Sequence, residues 1–85
     1  MRPYFQIETS EYLYRKFTED TPEEEFVWHR DENDREVEIL EPTNWMFQFD
    51  NELPQPLKNK LFIPKDTYHR LIKGTGELNI RIQEF

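Results

Sequence analysis

The chain of 85 residues contains no cysteine. Disulfides and thiolate metal sites are therefore excluded, and a small fold must hold without covalent staples. Serine occurs once, at Ser10, with no base beside it. There is no G-x-S-x-G elbow, and two glycines make no glycine-rich phosphate loop, so no nucleophile or nucleotide constellation is present. No apolar run approaches about 20 residues, so no segment reads as a membrane-spanning helix. Met1-Arg2-Pro3-Tyr4 shows no apolar signal core, which sets the expectation of a soluble cytoplasmic protein. Positive charge is also short. Eleven Lys and Arg face eighteen Asp and Glu, for a net charge of −7. Such a surface repels phosphate backbones and anionic bilayers, so neither nucleic acid nor membrane is an expected partner. Acids are plentiful, but no pair of them is singled out for acid–base work, and catalytic residues remain unassigned.

What the chain does have is aromatic mass. Hydrophobic residues make up only 35%, yet seven Phe, four Tyr and two Trp bring the aromatic share to 15%. Each of these buries a large area, which argues for a packed core despite 34% charged residues. The length allows one small domain over residues 1–85, and such a chain buries only roughly 60% of its unfolded surface. Oligomerisation remains as a source of further burial.

The apolar pattern is that of short strands. Tyr4–Glu8 reads as an edge strand after Pro3. Residues 12–17 read as a second strand, with a helix over 10–19 capped by Ser10 as the alternative. An acidic loop follows to Glu25, punctuated by Pro22. Residues 26–31 alternate, with Phe26 and Trp28 on one side and Val27, His29 and Asp31 on the other. Residues 36–40 alternate with Val37 and Ile39 inward, and the two segments are expected to form a hairpin. Trp45, Phe47 and Phe49 point inward from the next strand. Residues 51–59, with Pro54 and Pro56, read as loop or irregular edge. Short strands follow at 60–63 and 68–73. Residues 77–83 alternate best of all, with Leu78, Ile80 and Ile82 inward. Seven or eight strands at this spacing, without a long helix, predict an all-β sandwich or barrel.

Both histidines follow apolar runs of strand length. From Trp28 to Ile72 the chain resembles a cupin, the small jelly-roll barrel also called a double-stranded β-helix. The family's first motif, H-x-H-x(3–4)-E-x(6)-G, is followed in length by residues 28–42. The second, G-x(5)-P-x-G-x(2)-H-x(3)-N, is followed by residues 61–71. Pro64 and His69 stand at matching spacing, and Asp66 stands where the family has Gly. The core of the resemblance covers about residues 24–83, and the sequence is similar in style to small cupin-like proteins of bacteriophages, which would place it in host cytoplasm.

The resemblance implies metal ligands at His29 and His69, with Asp31 at the family's second His position. The family's Glu falls on Arg35 or Glu36. Strand parity turns Arg35 inward and Glu36 outward. His29-x-Asp31 with distant His69 also resembles the two-His, one-carboxylate triad of Fe(II) oxygenases on the same barrel. Arg81 lies twelve positions after His69, near where those enzymes bind the 2-oxoglutarate carboxylate, but alternation turns it outward. The implied cofactor is Fe(II), Mn(II), Ni(II) or Zn(II), which these ligand types do not separate.

Each feature has a plainer counterpart. An inward His can hydrogen-bond to Asp with no metal present. Arg35 is either an anion-binding group or a salt-bridge partner of Asp31 or Asp34. Trp45 and Phe47 line a ligand pocket or are simply core. Phe26 and Trp28 would be exposed on the outside of a thin barrel, so a homodimer packing them together is expected. Two functions follow as expectations. One is a barrel that binds a metal, a small anionic molecule, or both. The other is a metal-free interaction scaffold.

Overall fold

The structure, a computed structural model, describes residues 4–21 and 26–85. The end of the expected acidic loop, residues 22–25, and Pro3 ahead of the first strand lie outside the described residues. The described residues form eight strands: β1 Phe5–Glu8, β2 Leu13–Phe17, β3 Arg35–Ile39, β4 Met46–Phe49, β5 Gln55–Pro56, β6 Lys60–Ile63, β7 His69–Ile72 and β8 Leu78–Glu84. A large sheet runs in the order β1-β2-β8-β3-β6, and a small one in the order β5-β4-β7. Every pairing is antiparallel. Residues 13–17 take the strand form rather than the alternative helix, because they are sandwiched between β1 and β8.

Alternation decides which side chains meet. On β8, Leu78, Ile80 and Ile82 are buried. They sit opposite Phe17, Arg15 and Leu13 of β2, and Ile82 and Ile80 also face Val37 and Ile39 of β3. Val37 in turn faces Leu61 of β6. Phe47 of β4 in the small sheet and Trp45, just ahead of that strand, are both buried. Trp45 is fully enclosed, and its ring lies 6.2 Å from Phe17 and 5.6 Å from Phe26. Its indole Nε1–H donates to the Gly76 carbonyl at 3.3 Å. Gly74 beside it has no room for a side chain, since a Cβ there would lie 2.8 Å from the Trp45 backbone nitrogen.

The expected hairpin between residues 26–31 and 36–40 does not form. β3 pairs with β8 and β6 instead, where Val37 and Ile39 find apolar partners. Residues 26–31 are not a full strand either. His29 alone makes a bridge, to His69 on the free side of β7. The segment is a crossover: its backbone pairs with the small sheet at His29, and the chain enters the large sheet at Arg35. The intervening turn is held by the Asp34 carboxylate, which accepts from the Lys65 amide at 2.8 Å.

Candidate metal and ligand site

The bridge between the histidines creates the site. His29 N–H donates to the His69 carbonyl at 3.1 Å, and His69 N–H donates to the His29 carbonyl at 2.9 Å. Residues that exchange both bonds lie directly opposite, with side chains on one face. The two rings meet edge to face, 4.4 Å between centroids. Asp31, two residues on, returns to the same face. Its carbonyl accepts the Asp66 amide at 2.8 Å, which ties the two loops together. Asp66 has φ 60°, the left-handed region that glycine favours and Asp tolerates. Asp therefore fulfils the backbone requirement of the motif position where the family has Gly.

The hydrogen bonds of the rings fix their chemistry. His29 Nδ1 lies 2.9 Å from the Val27 carbonyl, and His69 Nδ1 lies 2.8 Å from the Thr67 carbonyl. A carbonyl only accepts, so in each neutral ring the proton sits on Nδ1 and Nε2 presents a lone pair. A backbone carbonyl behind the ring is the usual outer support of a metal-bound histidine. His69 is further held by stacking on Phe47, 5.5 Å between centroids. Asp31 Oδ2 lies 3.2 Å from His69 Nε2, yet it is buried without a hydrogen-bond partner among the described residues. Among the described residues, two acceptors thus face each other at a distance that a shared proton or a metal ion can satisfy. Together His29, Asp31 and His69 offer one ligand atom each, all within 4.8 Å of one another. The group could hold a metal ion, and these donors fit one.

Burial holds His69 below its ordinary pKa of 6.5. The Thr67 carbonyl and Asp31 favour the proton, while His29 and Arg35 oppose it, and the loss of solvent outweighs them all. The unfolded chain takes up this proton near pH 6.5, but the folded protein takes it up only at lower pH. Stability therefore falls as pH drops through that value and levels off below the folded pKa. In thermal melts with chelator, the wild type should lose more Tm between about pH 7.5 and about pH 5.5 than His69→Asn does. Equal losses would contradict the assignment.

Arg35 turns inward as its parity requires. Its guanidinium lies 3.4 Å from Asp31 Oδ1 and 3.3 Å from Glu84 Oε2, while Asp34 is engaged elsewhere. The cation is thus neutralised on the spot and holds Asp31 from behind. The site opens into a cavity of about 390 Å³ between the sheets, and Arg35, Phe47, Leu61, Ile63, Leu71 and Ile82 are among its walls. His69 is buried and His29 exposed, so the histidines bridge interior and solvent.

Other expectations change. Trp45 does not line this cavity, because its side chain is fully enclosed in the core behind Phe26 and Phe17. Phe26 is not on an outer face. The crossover lets it turn inward, 5.9 Å from Phe17. Trp28 is exposed, with the Arg70 guanidinium 4.7 Å from its ring centre. Phe26 and Trp28 therefore share no common patch. Arg81 faces outward as expected, paired with Glu38 and lying over Tyr12. Among the cavity residues that escaped the sequence reading is a charged one, Arg15. Arg15 alternates with Leu13 and Phe17 on β2 and so points inward, a parity visible in the sequence.

No protein-family model matches the chain, and no curated protein matches it. Solved structures do. A cupin domain protein from Bordetella pertussis superposes with TM-score 0.63 over 100% of this chain and 97% of its own, at 16% identity. A cupin-2 domain protein from Shewanella frigidimarina gives TM-score 0.63 over 96% and 80%, at 20% identity. A protein from Neisseria meningitidis gives 0.62 over 96% and 82%, at 12% identity. At these identities the likeness shows the fold. The chain is an all-β jelly-roll barrel with the architecture of a small cupin. The bacteriophage resemblance finds no support among these neighbours. Among the described residues, no helix is long and apolar enough to cross a membrane.

Proposed function

We propose that the protein binds a divalent transition metal through His29 Nε2, His69 Nε2 and Asp31 Oδ2, at the edge of a cavity that receives a small anionic molecule. The observation that carries this reading is the buried Asp31 Oδ2, unpaired and facing an imidazole lone pair. Two imidazoles and one carboxylate leave coordination positions open, which suits a site where a ligand joins the metal. A bound metal would supply Lewis acidity to that ligand. Around it, the chain's own groups have separate tasks. The Val27 and Thr67 carbonyls orient the rings. Arg35 holds Asp31 and tempers the negative charge of the site. Phe47, Leu61 and Leu71 keep the neighbouring volume apolar.

Calorimetric titration of chelator-stripped protein with Mn(II), Ni(II) and Zn(II) tests the proposal. Binding of one ion per chain by at least one of these metals is expected. Affinity should fall as the pH is lowered, because the imidazoles must be neutral to bind. Absence of saturable binding by all three would refute the metal reading and leave the barrel as a metal-free scaffold.

A further inference from the structure

The cavity holds more cation than its walls neutralise. Arg15 enters from β2 and Arg35 from β3, on either side of β8. Arg35 is engaged by Asp31 and Glu84, although among the described residues its buried Nε has no acceptor. Arg15 is held differently. Its Nε donates to Gln6 Oε1 at 2.6 Å, and its guanidinium lies over the Tyr4 ring at 4.6 Å. Among the described residues it has no ion-pair partner. Burial destabilises its charge and nearby Arg35 adds to this, while Tyr4, Glu84 and Asp31 support it. An arginine that lines the cavity, is oriented by two neighbours and has no hydrogen bond from its terminal nitrogens among the described residues is arranged like an anchor awaiting an acceptor.

Apart from Tyr4 and the His29, Asp31 and His69 group, the rest of the wall is apolar, and it says what the acceptor is attached to. Phe47, Leu57, Leu61, Ile63, Leu71 and Ile82 offer no hydrogen bonds from their side chains. A sugar or a polyhydroxylated acid would leave its own polar groups unpaired there. A single uncommitted guanidinium matches a single negative charge. We propose that the cavity binds a small monocarboxylic acid with an apolar body, its carboxylate on Arg15 and its hydrocarbon portion against the aliphatic wall. Arg15 is then a specificity-determining residue, and the acid lies in the same cavity as the His29–Asp31–His69 group. The inference rests on the cavity being the ligand site proposed above, but it does not require the metal.

The test uses hexanoate, hexanamide and acetate as probes, titrated calorimetrically into chelator-stripped protein. Hexanoate should bind at least about tenfold more tightly than hexanamide, which lacks the charge. It should also exceed acetate by at least about tenfold, since acetate lacks the apolar body. Arg15→Gln should weaken hexanoate by about ten- to a hundredfold, with Arg15→Lys recovering part of the loss. Metal affinity should not weaken in Arg15→Gln, because Arg15 is not a ligand. Failure of the metal reading would therefore show in the metal titration, and failure of this inference in the hexanoate titration. Equal binding of acid and amide, equal binding of hexanoate and acetate, or unchanged hexanoate affinity in Arg15→Gln would each overturn it. The probe comparisons on the wild-type chain decide the matter even if a variant does not fold.

Discussion

Asp31→Asn should abolish tight metal binding while leaving the barrel folded. The substitution keeps the shape of the side chain and removes its charge. It takes away the only carboxylate among the three candidate ligands. Loss of outer supports of a metal site already weakens affinity roughly 10–100-fold, so loss of a ligand should exceed about 100-fold. The fold should tolerate the change for two reasons. An amide nitrogen can donate to His69 Nε2, where the native carboxylate oxygen faces that lone pair at 3.2 Å without a hydrogen bond. Arg35 keeps Glu84, and the Asn carbonyl can still accept from it. Titration calorimetry and thermal melts on the same preparation check both halves. A variant that binds metal like the wild type would move the ion to other residues. A variant that unfolds would make Asp31 a structural ion-pair partner first.

Trp45→Ala should bring the largest loss of stability. The side chain is fully buried between the sheets and contacts both Phe17 and Phe26. Truncating a buried Trp costs about 3–5 kcal/mol. A domain of this size has a total of roughly 4–13 kcal/mol, so the loss takes from about a quarter of that to all of it. Tm should fall by at least about 12 °C. Trp45→Phe should retain much of the stability, since it keeps the ring packing and loses chiefly the hydrogen bond to Gly76. Urea denaturation measures the difference. A cost below about 1 kcal/mol for Trp45→Ala would contradict the place given to this residue in the core.

The sequence showed the barrel clearly where period two was long and unbroken. Leu78, Ile80 and Ile82 point inward as the alternation requires, and all are buried. The same logic turned Arg35 inward and Arg81 outward. It would also have revealed Arg15, had parity been carried from Leu13 and Phe17 through the charged residue between them. Residues 26–31 were less legible. Their alternation resembles a strand, but a crossover between sheets needs only one paired residue, and nothing in a local pattern distinguishes the two. Phe26 therefore turns inward against Phe17 where strand alternation would turn it out. The meeting of His29 and His69 was suggested by motif spacing. The bonds that determine their chemistry, to carbonyls two residues back, depend on backbone conformation that no composition or spacing specifies. Partners likewise come from register: Glu84 lies opposite Arg35 only because β3 pairs with β8.

The central claim is that His29, Asp31 and His69 hold a metal ion. It is tested most directly by the metal content of protein purified without a metal-affinity tag, measured by elemental analysis beside His69→Ala. The wild type should carry a divalent transition metal at close to one per chain, and the variant should lose it. Wild-type protein that carries no metal, takes none up on incubation with Mn(II), Ni(II) or Zn(II), and melts at the same temperature with and without chelator would contradict it.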